Sequence, residues 1–187
     1  MELKTVYFKN PGGENTDEVL GITRQRAEEL GIKTILVAST SGNTAVRAMD
    51  VLQGLRVIIV THVAGFRDPD TQEFTEENRQ VVESKGGTIL TTAHAFTGLN
   101  RVMRNKYNAP ALGDIIADTL RIFGKGLKVV CEITMMAADS GLVRTDEDAI
   151  SIGGTGNGAD TAVVLRPANS HNFFDLKIKE ILCKPHL

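Results

Sequence analysis

One stretch near the start of the chain constrains the fold more than any other. Residues 34–39 form an apolar, β-branched run that predicts a buried strand, and residues 43–53 repeat apolar side chains at helical spacing. Small hydroxyl residues and a glycine lie between these two segments. A strand that turns directly into a helix collects several unpaired main-chain N–H groups at one point. This arrangement favours an anion, most often a phosphate.

Strands and helices alternate along the rest of the chain. The apolar runs predict strands at 5–8, 34–39, 56–60, 88–92, 149–152, 161–165 and 173–182. Helical spacing predicts helices at 15–30, 43–53, from 75 to about 85, after Pro110, and at 127–143. Such alternation predicts an α/β fold of three layers, α/β/α, around a mostly parallel sheet with an antiparallel last strand.

Three of these elements rest on particular signals. Asn15 with Glu18 three residues later predicts a capped start for the first helix. Residues 127–143 fit both strand and helix, and their length without a turn signal favours the helix. The run 173–182 alternates apolar residues with lysines, which predicts a half-exposed edge strand.

Composition limits the classes of function. The chain has 187 residues and no linker-like segment, so a single domain over 1–187 is expected. A net charge of −2 gives no reason to expect a nucleic acid or a membrane surface as partner. Cys131 and Cys183 lack CxxC spacing, and neither a signal-peptide core nor an 18-residue apolar run is present. These features predict reduced thiols and a cytoplasmic location.

Ligands of such sheets bind beyond the carboxyl ends of the strands. This rule brings together four loops, at 39–44, 61–66, 93–101 and 153–160. The candidate ligand-binding residues in these loops are Ser39, Thr40, Ser41, Gly42, Asn43, Thr44, His62, Phe66, His94, Asn100, Arg101, Gly154, Thr155, Gly156, Asn157, Gly158 and Asp160.

The two small-residue loops each allow a second interpretation. The first loop fits a phosphate cradle, but serines and threonines also cap helices. It matches neither a P-loop nor the G-x-S-x-G nucleophile turn. The second loop partly matches a dinucleotide fingerprint, yet a strand follows it where that motif needs a helix. It is therefore either a flexible turn that closes over a ligand or a plain hairpin turn.

The histidine-bearing loops are less specific. His62 and His94 each follow a strand, where a histidine serves as an acid–base group, a ligand donor or simple polar surface. Neither has a third ligand at metal spacing, so no metal is predicted. Asn100 and Arg101 fit either an anion contact or the solvated start of a helix, and Phe66 fits the wall of a site for a flat ring.

Residues 15–166 resemble the C-terminal α/β domain of pyruvate kinase. Ser39 to Ala45 is similar to that domain's Ser/Thr-x-Ser-Gly-x-Ser/Thr-Ala turn. Residues 149–156 and 158–164 resemble its last two strands around a glycine-rich loop. In pyruvate kinases these loops hold the phosphates of a sugar bisphosphate effector. The resemblance therefore implies that Ser39, Ser41, Gly42 and Thr44 bind phosphate, and that five of the strands form a sheet whose last member is antiparallel.

The chain also departs from pyruvate kinase. The catalytic barrel has no counterpart, so phosphoenolpyruvate chemistry is not expected, and strands at both ends are added. The whole resembles small stand-alone archaeal and bacterial proteins that carry this domain and look like binders of FMN. The resemblance implies a phosphorylated small molecule as ligand, with FMN preferred.

Three functions stay open. The first is an FMN-binding protein without known catalysis, and the second is a flavin-dependent oxidoreductase in which His62 or His94 supplies a proton. The third is a regulatory module that senses a sugar phosphate. A homo-oligomer with strand 173–184 as its contact is a further expectation.

Overall fold

The computed structural model describes residues 2–187 as one seven-stranded sheet covered on both faces by helices. Its strands are β1 (Val6–Phe8), β2 (Thr34–Ala38), β3 (Arg56–Val60), β4 (Thr88–Leu90), β5 (Ala149–Gly153), β6 (Thr161–Arg166) and β7 (Lys177–Pro185). Its helices are α1 (Thr16–Leu30), α2 (Asn43–Val51), α3 (Glu76–Ser84), α4 (Asn100–Tyr107), α5 (Leu112–Arg121) and α6 (Lys125–Asp139). Short 3-10 turns at Gly13–Asn15 and Ser170–Asp175 complete the described elements.

The order of strands in the sheet is β1-β7-β6-β5-β2-β3-β4. Strand β6 runs antiparallel to both of its neighbours, and every other neighbouring pair is parallel. This confirms the predicted mostly parallel α/β sheet with an antiparallel strand after the glycine loop. The carboxyl ends of β5, β2, β3 and β4 consequently lie at one edge of the sheet.

Alternate residues of the central strands serve the two faces. In β2, Ile35 and Val37 pack in the core under α1, α2 and α3, while Leu36 packs in the core under α6. All three side chains are fully buried, as expected for a parallel strand covered on both faces. The two helical layers fix the register, because a shift by one residue would exchange the two cores.

Two predictions about the sheet and its helices are wrong. The last strand is not at an edge: β7 covers 177–185 rather than 173–182 and lies between β1 and β6, because Val6 pairs with Cys183. It therefore cannot supply an edge-to-edge dimer contact, and oligomerisation stays a prediction. Asn15 does not cap α1, because its amide donates to the carbonyls of Asn10 and Gly12 instead.

Other local predictions hold. Residues 125–139 are helical, as the run at 127–143 predicts, and α1 ends at Gly31 with a left-handed φ of 68°. The sequence predicts a loop or short helix at 93–101, and the structure has turns followed by α4, none of whose residues is buried. Both cysteines are free and buried. Among residues 2–187, none of the helices combines the length and apolar character that spanning a bilayer requires.

Candidate functional site

A cleft of about 980 Å³ lies at the carboxyl ends of β2 and β3. Residues of all four predicted loops line it, and α6 forms one wall from Lys125 to Met136. The predicted residues that line the cleft are Ser39, Thr40, Ser41, Asn43, Thr44, His62, Phe66, His94, Arg101, Gly154, Gly156, Asn157 and Gly158. Binding of a ligand by these residues stays a prediction.

The start of α2 presents free donors to this cleft. Ser39 is buried, and its Oγ accepts a hydrogen bond of 3.3 Å from the N–H of Ala45, so this serine acts as a helix cap. The main-chain N–H groups of the residues from 41 to 44 have no acceptor among residues 2–187. Helix capping by Ser39 and a phosphate site at this turn are therefore compatible, because capping uses one N–H donor and leaves the others available.

Helix α3 holds the turn before α2 from the side away from the cleft. The amide of Asn78 donates to the carbonyl of Ser41 at 3.0 Å, and the N–H of Thr75 donates to the same oxygen at 3.2 Å. Gly42 has a φ of 102°, and a Cβ there would lie 2.4 Å from Cβ of Asn78. Gly42 therefore does not line the cleft, and it allows the turn to pack against α3.

The glycine-rich loop is anchored at its base. Asp160 is fully buried, and its Oδ2 accepts hydrogen bonds from the N–H groups of Gly12 at 2.9 Å and Thr155 at 3.0 Å. Thr155 and Asp160 therefore shape the loop and do not line the cleft. A Cβ on Gly158 would lie 2.4 Å from Cα of Gly13, whereas one on Gly156 would meet nothing within 4 Å. The loop is thus a fixed structure with an open tip.

Asn100 is the fourth predicted residue that does not line the cleft. Its amide donates to the carbonyl of Phe96 at 2.6 Å, and it lies against Gly113, where a Cβ would be 2.1 Å from Nδ2. Asn100 therefore joins the starts of α4 and α5. Its neighbour Arg101 does line the cleft.

Three rings form a cluster in the cleft. The ring of Phe66 lies 4.1 Å from His62 and 5.3 Å from His94, centroid to centroid, and the guanidinium of Arg101 lies 5.0 Å above it. Nε2 of His94 accepts a hydrogen bond of 3.3 Å from the N–H of Val63. Burial lowers the pKa of His94, with nearby cations acting in the same direction and Glu132 opposing them. His94 is therefore a neutral acceptor in this cluster near pH 7.

His62 makes polar contacts on both sides of its ring. Its Nδ1 lies 2.7 Å from Oε2 of Glu73, and its Nε2 lies 3.4 Å from Oγ1 of Thr40. Because a carboxylate only accepts hydrogen bonds, Nδ1 carries the proton in the neutral ring and Nε2 directs its lone pair at Thr40. Arg67 binds the other oxygen of Glu73 at 2.8 Å.

Cationic side chains outnumber carboxylates along the cleft although the chain carries a net charge of −2. One carboxylate, Glu132, lines it against six cationic side chains, which are Arg67, Arg101, Arg104, Arg121, Lys125 and Lys128. Four of the cations pair with carboxylates, and within residues 2–187 Arg101 and Lys125 have no such partner. A cleft with an excess of one sign of charge attracts ligands of the opposite sign.

A buried ion pair lies at the cleft wall. Lys128 contacts Glu132 one turn further along α6, and both side chains are less than a tenth exposed. The second oxygen of Glu132 accepts a hydrogen bond of 3.0 Å from the N–H of Phe96. The pair therefore joins α6 to the loop that carries His94.

Sequence reasoning misses most of these charged residues. Arg104 and Arg121 come from α4 and α5, and their position at the cleft depends on long-range packing. Lys125 offered a signal, because it stands between two glycines at the start of α6. Glu73 offered none, since only the fold of the loop after β3 brings it to His62.

The family comparison agrees with this architecture. The family described as pyruvate kinase, alpha/beta domain, matches residues 17–165, which is well over half of the chain. The chain belongs to this family. The matched range begins in α1 and ends in β6, so β1 and β7 are outside the pyruvate kinase alpha/beta-domain match.

Solved structures similar to this chain include pyruvate kinases of Cryptosporidium parvum. One is 12% identical with a TM-score of 0.42, and the alignment covers 81% of this chain and 22% of the pyruvate kinase. Another, a complex with ADP, is 14% identical with a TM-score of 0.36 and coverage of 89% and 23%. The chain thus spans about a fifth of the length of these enzymes.

Proposed function

We propose that this protein binds a phosphorylated small molecule in the cleft, with FMN as the preferred ligand. The observation that carries the proposal is the start of α2, where Ser41, Asn43 and Thr44 line the cleft and their main-chain N–H groups have no acceptors among residues 2–187. Donors at a helix N-terminus bind phosphate through hydrogen bonds and through the helix dipole. Ser41 and Thr44 add hydroxyl groups at the same point.

The cations support binding of a dianionic group. Arg101 and Lys125 have no carboxylate partner within residues 2–187, so binding a phosphate breaks no ion pair of theirs. Lys125 is also the first residue of α6, so a second helix N-terminus borders the cleft. Charge-assisted hydrogen bonds to such groups are about twice as strong as neutral ones.

The rest of the cleft suits a flat ring. The cluster of His62, Phe66 and His94 offers aromatic surface, and apolar side chains of β3 and α6, including Val60 and Ile133, line the cleft as well. A volume of about 980 Å³ lies at the upper end of the range for small-molecule sites, roughly 300–1,000 Å³. FMN combines a phosphate with a flat ring and thus matches both features.

A sugar bisphosphate is the second candidate. The two helix N-termini at the cleft favour a ligand with two phosphates, as a sugar-phosphate-sensing regulatory module would require. A flavin-dependent oxidoreductase, with His62 or His94 supplying a proton, remains a prediction that depends on FMN binding. We also propose a cytoplasmic location, which the two buried free thiols of Cys131 and Cys183 support.

The experiment compares FMN with riboflavin, which has the same ring and lacks the phosphate. Titration with the protein should quench the fluorescence of FMN, and FMN should raise the melting temperature of the protein. Riboflavin should bind at least about tenfold more weakly, since a lost charged contact costs about 1.5–3 kcal/mol. Visible absorbance and mass spectrometry of the purified protein should identify a co-purified flavin. Equal affinity for both flavins would refute the phosphate site. If FMN fails and a sugar bisphosphate raises the melting temperature, the second candidate replaces it.

A further inference from the structure

We propose that the cleft hydrolyses phosphate monoesters, with Thr40 as nucleophile, His62 as general base and Glu73 as the residue that positions His62. The inference rests on the proposed function, because it places the ligand's phosphate at the first turn of α2. It goes beyond binding, since it assigns a chemical reaction to that phosphate.

His62 lies in a chain of contacts between a hydroxyl and a carboxylate. A base that lies between a hydroxyl and an orienting carboxylate is the arrangement of nucleophilic catalysis. Nδ1 of His62 is 2.7 Å from Glu73 and Nε2 is 3.4 Å from Oγ1 of Thr40. The second distance is at the long end of the hydrogen-bond range, and contacts of this kind shorten when a substrate binds.

The loop after β3 holds His62, the proposed base, in position. The amide of Gln72 donates to the carbonyl of His62 at 3.0 Å, and its oxygen accepts from the N–H of Phe74 at 3.1 Å. This bridge holds the residues on either side of Glu73 to the start of the loop. Phe66 packs on one face of His62, and Arg67 binds the free oxygen of Glu73. An ion pair alone would not require Nε2 to face a hydroxyl.

Thr40 lies next to the proposed position of the phosphate. It directly precedes the residues whose N–H groups lack acceptors, from 41 to 44, and it lines the same cleft. In the proposed site, the phosphorus of a phosphate held by those groups lies beside Oγ1 of Thr40. The N–H groups and Lys125 can then stabilise the charge that develops on the equatorial oxygens.

Two displacements complete the reaction. In the first, His62 takes the proton of Thr40, a bond forms between Oγ1 and phosphorus, and the bond from phosphorus to the ester oxygen breaks. The departing oxygen takes the proton from His62 and leaves as an alcohol. In the second, a water gives its proton to His62 and bonds to phosphorus, the bond to Oγ1 breaks, and Thr40 regains the proton. The net reaction is monoester plus water to alcohol plus inorganic phosphate.

The test measures release of inorganic phosphate from p-nitrophenyl phosphate and from FMN by the full chain, with EDTA and again with Mg²⁺. Turnover by the wild type is expected with either addition. His62→Gln and Thr40→Val should each lose about 10²- to 10⁴-fold in kcat, while Thr40→Ser should retain activity because it keeps the hydroxyl. Acid-quenched wild type should carry a phosphoryl group on the peptide that contains Thr40.

Glu73→Gln separates a positioning role from a structural one. It should lower kcat with little change in KM, and it should change the pH profile of kcat, since an amide can offer its N–H to Nδ1 and favour the wrong tautomer. His171→Gln and Thr119→Val are matched controls. His171 is exposed and next to Ser170, which binds Asp139 at the far end of α6, and Thr119 is exposed on α5. Both controls should keep wild-type rates.

FMN binding, measured on the same preparations, separates this inference from the proposed function. Binding without phosphate release by the wild type overturns the inference alone, as does full activity in Thr40→Val. Failure to bind FMN or any sugar phosphate overturns the proposed function and the inference together. Thermal melts identify a variant that fails to fold. If Thr40→Val fails to fold, Thr40→Ser still tests the nucleophile, because it should keep its activity and carry the phosphoryl group on residue 40.

Discussion

Placing a carboxylate at position 41 should weaken phosphate binding while it stabilises the fold. Ser41 is exposed, and its carbonyl, rather than its side chain, is held by Asn78 and Thr75. Ser41→Asp therefore leaves the turn intact. The new carboxylate lies just before the N-terminus of α2, where a negative charge adds about 0.3–1 kcal/mol of stability through the helix dipole.

The same charge would oppose a bound phosphate. Two unit charges 4 Å apart repel by about 4 kcal/mol at an effective dielectric constant near 20. Exposure and salt reduce this value, so we expect a loss of about 2–4 kcal/mol, which weakens FMN binding by about 30- to 1,000-fold. Removing one neutral hydrogen bond costs only about 1 kcal/mol.

Calorimetric titration with FMN at low and high salt measures this effect, and a thermal melt measures stability. Ser41→Asn is the matched control, because asparagine has nearly the same size as aspartate and no charge. This variant should lose less than about tenfold in affinity for FMN. The difference between the two variants should shrink at high salt. Unchanged affinity in Ser41→Asp, with a normal melt, would refute the assignment of the phosphate to this turn.

Three further changes test other parts of the account. Lys128→Met should destabilise the fold by about 3–5 kcal/mol, since it leaves the buried carboxylate of Glu132 without its cation, and adding Glu132→Leu should restore most of the loss. Urea denaturation of the single and double variants measures both effects. A Lys128→Met variant as stable as the wild type would contradict a buried ion pair. Burial lowers the pKa of His94 below the unfolded value of 6.5, so the unfolded chain binds more protons and the stability contributed by this residue falls as the pH drops below 6.5. The stability difference between wild type and His94→Gln, measured between about pH 7.5 and 5, should therefore decrease with falling pH, and a constant difference would exclude this titration. Gly158→Ala should lower the free energy of unfolding by about 2–4 kcal/mol, through left-handed backbone strain and a clash with the loop beside it. Gly156→Ala should lower it by only about 1–2 kcal/mol, because Gly156 has a φ of 73° but open space around it. Equal shifts in melting temperature would show that the loop is not packed as described.

Local patterns predict the elements of this fold well because burial dictates them. Strand β2 is a continuous apolar run in the sequence because Ile35 and Leu36 pack into two different cores. The length of the apolar segment predicts the helix α6. The position of β7 could not be predicted in this way. Its alternating pattern fits an edge strand, and only the pairing of Val6 with Cys183, far apart along the chain, places β1 outside it.

The loops of the candidate site could be predicted because parallel strands end at a common edge. Which polar residues face the cleft could not be. Asp160 and Asn100 carry polar groups at the correct edge of the sheet, yet both form hydrogen bonds within the fold instead of facing the cleft. No local sequence pattern distinguishes such residues from Thr40 or His62, which do line the cleft. The cations of α4 and α5 were beyond prediction for another reason, since helix placement depends on tertiary packing.

The most direct test of the central claim is a crystal structure of the protein with FMN. Phosphate oxygens are expected within hydrogen-bond distance, roughly 2.7–3.2 Å, of the main-chain nitrogens of Ser41, Asn43 and Thr44, with the flavin ring near Phe66. A phosphate bound elsewhere, or a cleft that stays without FMN at saturating concentration, would contradict the central claim.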